Sequence, residues 1–146
     1  MKALSVRQPW AWAIMHAGKT IENRDWGPHY PALREAREMV KRPGGTRVAL
    51  HASSIMPRKE YVSFLCFAGG SDTDLVPALL PRGLPVPAYE DLPRGGIIGE
   101  VDLVSIVDDH DSPWFFGPLG LVLANPTPLP FRPCRGALGF FEVPAA

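Results

Sequence analysis

The sequence predicts an α+β domain: a small mixed or antiparallel β-barrel of five to six strands with two or three helices. Three observations predict it. Seventeen prolines and fourteen glycines cut the 146 residues into short pieces. The strand candidates do not alternate regularly with helices, which argues against a doubly wound parallel sheet. One short helix is apolar nearly all round, as expected of a helix that plugs the open end of a sheet.

Each element follows in order. Lys2 to Val6 (KALSV) reads as a first strand. A helix then starts at Gln8-Pro9 and runs to Ala17, because proline suits a first helical turn whose N–H has no partner. Gly18 suits the left-handed position just past its end. Trp10, Ile14 and Ala17 share one face, and Trp12, Ala13 and Met15 fill much of the rest. Thr20 to Asp25 is a short strand. Residues 27–45 read as an insertion with a charged, helix-favouring segment over Ala32 to Lys41, bounded by Pro31 and Pro43-Gly44-Gly45. Thr46 to Ser53 is a strand with Val48 and Leu50 on one face, His51 and Ser53 on the other. Residues 57–68 read as a helix with Tyr61, Phe64, Leu65 and Ala68 inward. Residues 69–95 hold five prolines and four glycines without a sustained period; a stretch this long is a lid, a binding loop or a disordered segment. Ile97 to Val107, Leu119 to Ala124 and Ala137 to Val143 complete the strands. The middle one, LGLVLA, is apolar on both faces and so expected inside the sheet.

Length and composition set limits. The chain is the size of one domain, 46% hydrophobic and 21% charged, which is globular. Fifteen basic residues balance fifteen acidic ones, so no global field draws in nucleic acid; a local patch would have to do so. Cys66 and Cys134 lack zinc-ligand spacing. Cys66, within YVSFLCF, reads as a free buried thiol. No leader is read at Met1-Lys2, and no apolar run approaches the roughly 20 residues of a membrane span. A cytoplasmic protein without metal or cofactor, and with no membrane partner, is expected.

Polar residues gather at strand ends, where sites are commonly built. In HAGKTIENRDW, Lys19 and Glu22 are either an acid–base pair at the edge of an apolar helix or a surface ion pair. Strict alternation sends Glu22 and Arg24 to one face of the strand and Asn23 to the other. Trp10, Trp12 and Trp26 either stack a base or fill the core. Arg7 and Arg24 either clamp a phosphate or carboxylate or pair with Asp25 or Glu100. Gln8, His51, Ser53, Asn125 and Arg135 stand at the remaining junctions. Without a Gly-x-Ser-x-Gly elbow, no serine triad is read at Ser53. His16 reads as a helix-terminal histidine facing the dipole. The acidic run VDDHD (residues 107–111), with Asp102 just before it, reads as a solvated turn or a hard-cation ligand set.

The wording of the chain is more specific than its periodicity. ALSVRQPWAWAI, GKTIENRDW, VALHAS, GGIIGEVDLV, SPW-x2-GP-x-GLVLANP and RGALGFFEVP resemble the ASCH domain of the PUA-like superfamily, in order from Ala3 to Pro144. The resemblance implies a PUA-like barrel with a cleft beside the first helix, and binding of RNA or a modified nucleoside. It also implies hydrolysis without metal, by analogy with an N4-acylcytidine amidohydrolase and with reported ribonucleases of the family. Lys19 matches the amidohydrolase lysine, while Glu22 stands where that enzyme has a threonine nucleophile. Lys19 and Glu22 are therefore the expected catalytic pair. Arg7, Gln8, Trp10, Asn23, Arg24, Trp26, His51, Ser53, Asn125 and Arg135 are the expected substrate-binding set. The alternatives are a binding module without chemistry, and an interaction domain that uses residues 69–95.

Overall fold

The computed structural model describes residues 1–69, 79–81 and 83–145. In chain order come β1 (Lys2–Val6), α1 (Trp10–His16), β2 (Ile21–Arg24), α2 (Pro31–Val40), β3 (Thr46–Ala52) and α3 (Arg58–Ala68). A 3-10 turn at Tyr89–Asp91 follows, then β4 (Gly96–Val107), β5 (Leu119–Pro133) and β6 (Phe140–Glu142). The strands form one mixed sheet in the order β2-β5-β4-β3-β1-β6, in which only β1 and β3 run parallel. The α+β class holds, and the arrangement is consistent with a PUA-like barrel, but the sheet does not close.

The opening has a local cause. β6 pairs with β1 only at Lys2, Ala3 and Leu4, so the register stops short of Ser5 and Val6 on that side. Where a closing strand would lie, Arg24 of β2 reaches across instead. Its Nη2 donates to the Ser5 carbonyl at 2.9 Å.

Helix α1 is buried from Ala11 to Met15. Ile14 and Met15 join Leu4, Val6, Leu50 and Leu121 in the main core, which α2 covers with Ala32, Ala36 and Met39. Gly18 has φ +75°, the left-handed turn that ends α1. At Gly99 of β4 a Cβ would collide with Met15 Sδ, so this glycine lets α1 lie close on the sheet. On the other side of α1, Trp12 and Ala13 pack with Phe64 and Ala68 of α3 and with Trp114.

Several expectations need correction. Leu65, expected inward, is 36% exposed, whereas Phe64 and Ala68 are fully buried. The pair four apart forms the inner stripe of α3, and Cys66 lies about 200° round from Phe64. Cys66 is accordingly exposed rather than buried, and both cysteines are free. Strand β5 does not end at Ala124 but continues to Pro133. Its partner β2 covers only Leu119–Val122, so beyond that point one edge is open and a proline there forfeits no ladder bond. The last strand is shorter than expected, because residues 137–139 line a cleft instead. Within residues 69–95, positions 70–78 and 82 lie outside the described residues. Among the described residues, no helix is long and apolar enough to cross a membrane.

Candidate functional site

A cleft of about 1100 Å³ occupies the opening of the sheet. The end of β1, the start of α1, β2, the end of β3 and residues 134–139 form its walls. Its floor is a run of charge. The turn after Gly18 points Lys19 inward, and its side chain is 0% exposed. Lys19 Nζ donates to the Ile21 carbonyl and to Glu22 Oε1, the latter at 2.8 Å. The Trp10 ring centroid lies 5.9 Å from the same nitrogen. Glu22 Oε2 accepts from Arg24 Nη2 at 3.2 Å. Burial alone would push the Glu22 carboxyl up, but the Lys19 and Arg24 charges and the Lys19 hydrogen bond outweigh it and hold it below the usual glutamate range. Glu22 is thus an anion with both oxygens engaged. Arg24 Nε is buried and has no hydrogen-bond partner among the described residues.

Above the floor, His51 is 2% exposed and held on three sides. Its Nε2 lies 2.7 Å from the Cys134 carbonyl, its Nδ1 lies 3.0 Å from Ser5 Oγ, and Phe141 meets it edge-on with centroids 5.6 Å apart. A Cβ at Gly136 would sit 2.7 Å from His51 Cε1, so the chain passes flat against the ring. At the rim, Arg7 donates to Glu60 at 3.0 Å. That partner is neither Asp25 nor Glu100, since Glu100 faces Arg47.

Of the twelve residues expected from the sequence, the cleft brings together Lys19, Glu22, Arg7, Trp10, Asn23, Arg24, His51, Ser53 and Arg135. Asn23 serves it indirectly. Its Oδ1 accepts from the Phe116 and Gly117 N–H groups, and its Nδ2 donates to the Trp114 carbonyl, which sets the loop whose Phe116 enters the cleft. Ser53 Oγ accepts from the Ile55 N–H, a local turn bond.

Gln8, Trp26 and Asn125 do not line the cleft. Gln8 is 1% exposed; its Oε1 accepts the Trp12 N–H and its Nε2 donates to the Pro93 carbonyl, so it fastens the start of α1. Trp26 stacks on Tyr30 and meets the cleft only through Arg24, whose guanidinium lies 5.7 Å over its ring. Asn125 has φ +52° at a bulge of β5 and bonds Asp102; asparagine tolerates that left-handed conformation. His16 is exposed at the end of α1. Residues 108–111 are exposed, and the described residues hold no group of three or more His, Cys, Asp or Glu placed for a metal.

Among the cleft residues outside the expected set are Ser5, Glu60 and Phe116. Ser5 carried a signal, as the one hydroxyl in an otherwise apolar stretch of β1. Glu60 and Phe116 carried none.

The unclosed sheet thus carries a cleft with a charged floor and with Trp10 and Phe116 in its lining. The ASCH domain family model matches residues 4–116, well over half of the chain, and the protein belongs to the ASCH domain family. That membership points to RNA binding. No curated protein matches the chain closely enough to name a relative.

Proposed function

We propose that the cleft binds RNA or a modified nucleoside and hydrolyses it, without a metal, as a ribonuclease or an N4-acylcytidine amidohydrolase. The observation that carries this reading is the buried Lys19–Glu22 pair, with half-buried Arg24 beside it, at the floor of an open cleft. Burying charge costs several kcal/mol per ion, and apolar residues of similar volume often serve stability as well or better. A buried ion pair at the bottom of a cleft is therefore better explained by a ligand than by the fold. Trp10 and Phe116 offer faces for a base, and Arg7 and Arg135 stand at the rim for phosphate. Lys19 spends two of its three ammonium protons on the Ile21 carbonyl and Glu22, leaving one for an oxygen that gains charge. Glu22, with both oxygens engaged and its carboxyl held ionised, is a weak base and chiefly orients Lys19 and Arg24.

The test compares wild type with Lys19→Met on labelled RNA and on N4-acetylcytidine. Turnover by wild type and its loss in the variant support the reading; equal activity in both, or none in either, overturns the hydrolase. The engaged Glu22 at the family's nucleophile position favours a second reading, a nucleotide-binding module without chemistry. Calorimetry with nucleotides and short RNAs that shows binding without turnover selects it.

A further inference from the structure

We propose that Ser5 is an acyl-accepting nucleophile activated by His51, with the Cys134 carbonyl as the group that orients the imidazole. The inference rests on the hydrolytic reading of the cleft and selects its acyl-transfer form over phosphodiester cleavage.

The proton positions follow from the partners. A carbonyl oxygen only accepts, so His51 Nε2, 2.7 Å from the Cys134 oxygen, carries the proton. In the neutral ring the lone pair then sits on Nδ1, and Ser5 Oγ–H donates to it at 3.0 Å. This is the nucleophile, base and orienting group that acyl transfer needs, with a backbone carbonyl in place of a carboxylate. The backbone makes it: β1 and β3 are parallel neighbours with Ser5 in register with His51. Phe141 and Gly136 leave the ring one orientation. The hydroxyl that takes the Nδ1 lone pair belongs to a residue lining the open cleft. Arg24 Nη2 donates to Ser5's own carbonyl at 2.9 Å and so fixes the backbone that carries the hydroxyl.

The steps balance. Ser5 Oγ attacks the acyl carbon while its proton passes to His51 Nδ1. The carbonyl re-forms, the C–N bond breaks, and the leaving nitrogen takes that proton. Water then gives a proton to Nδ1 and attacks the acyl-serine. The C–Oγ bond breaks, and Oγ takes the proton back. An amide and water become a carboxylic acid and an amine, with no change of oxidation state.

Wild type, Ser5→Ala, Ser5→Thr and His51→Gln are pulsed with p-nitrophenyl acetate, and the acetylated peptide is located by mass spectrometry. N4-acetylcytidine turnover, cytidine calorimetry and thermal melts are run on the same samples. Acetyl is expected on Ser5 in wild type, absent in Ser5→Ala, retained in Ser5→Thr, and formed about 100-fold more slowly in His51→Gln. Cytidine binding should persist in all four. Acetyl on Lys19 or Cys134 instead of Ser5 overturns the inference. Wild-type turnover of N4-acetylcytidine by Ser5→Ala overturns it too, while leaving the hydrolase standing. If wild type neither acetylates nor turns over N4-acetylcytidine, the inference falls with the amidohydrolase form of the reading, and the labelled-RNA assay decides between a ribonuclease and a module without chemistry. Should Ser5→Ala melt early, the acetylation site in wild type decides by itself.

Discussion

Glu22 joins two cations, and its environment has a measurable consequence. Lys19 and Arg24 hold its folded-state carboxyl below the ordinary value of 4.5. A depressed acid contributes stability that is complete above the unfolded value and is lost as the pH falls through the folded one. Denaturation between about pH 6 and pH 3 should therefore show an acid limb that flattens in Glu22→Gln. That variant also leaves Lys19 buried without its counter-charge, at an expected cost of about 3 kcal/mol near neutrality. A wild-type acid limb in Glu22→Gln would place the titration elsewhere. At this scale the sequence was ambiguous, not silent. The spacing of Lys19 and Glu22 allowed a solvated pair as readily as a site, because three residues of separation say nothing about burial. Gln8 misled for a related reason: a polar side chain beside a helix can be consumed by backbone groups of that helix.

Strand β2 has only four residues, yet it organises a distant loop. Asn23 accepts two N–H groups and donates to a third backbone group, all of them more than 90 residues away. At about 1 kcal/mol for each net hydrogen bond, Asn23→Ala should lose roughly 3 kcal/mol. It should also speed hydrogen exchange at Phe116 and Gly117 and weaken nucleoside binding measured by calorimetry. Unchanged exchange at those amides would mean that the loop holds itself. Elements with a local signature were legible: β1, β3 and β4 by their apolar runs, and α1 by Pro9 before it and Gly18 after it. The proline-rich half of β5 was not, since only the missing second neighbour makes proline tolerable there.

Over the whole molecule, fifteen positive and fifteen negative residues cancel. On the proposed reading phosphate meets the rim, where Arg7 and Arg135 line the cleft and Glu60 offsets part of the charge. Two or three phosphate contacts on a single strand predict a slope of log K against log salt of about −1.5 to −2, reduced by about 0.7 in Arg135→Ala. A slope several times steeper in a salt titration would place the RNA on a surface outside the cleft. The sequence by itself determined the α+β class, the family, the buried first helix and the segment that holds Lys19 and Glu22, because these depend on local periodicity and on wording read along the chain. Only the tertiary structure decided which polar side chains face one another. Ser5 and His51 lie 46 residues apart and meet because β1 and β3 pair in parallel. Arg24 reaches Ser5 because the sheet fails to close. Strand pairing and closure are non-local, and no spacing along the chain encodes them.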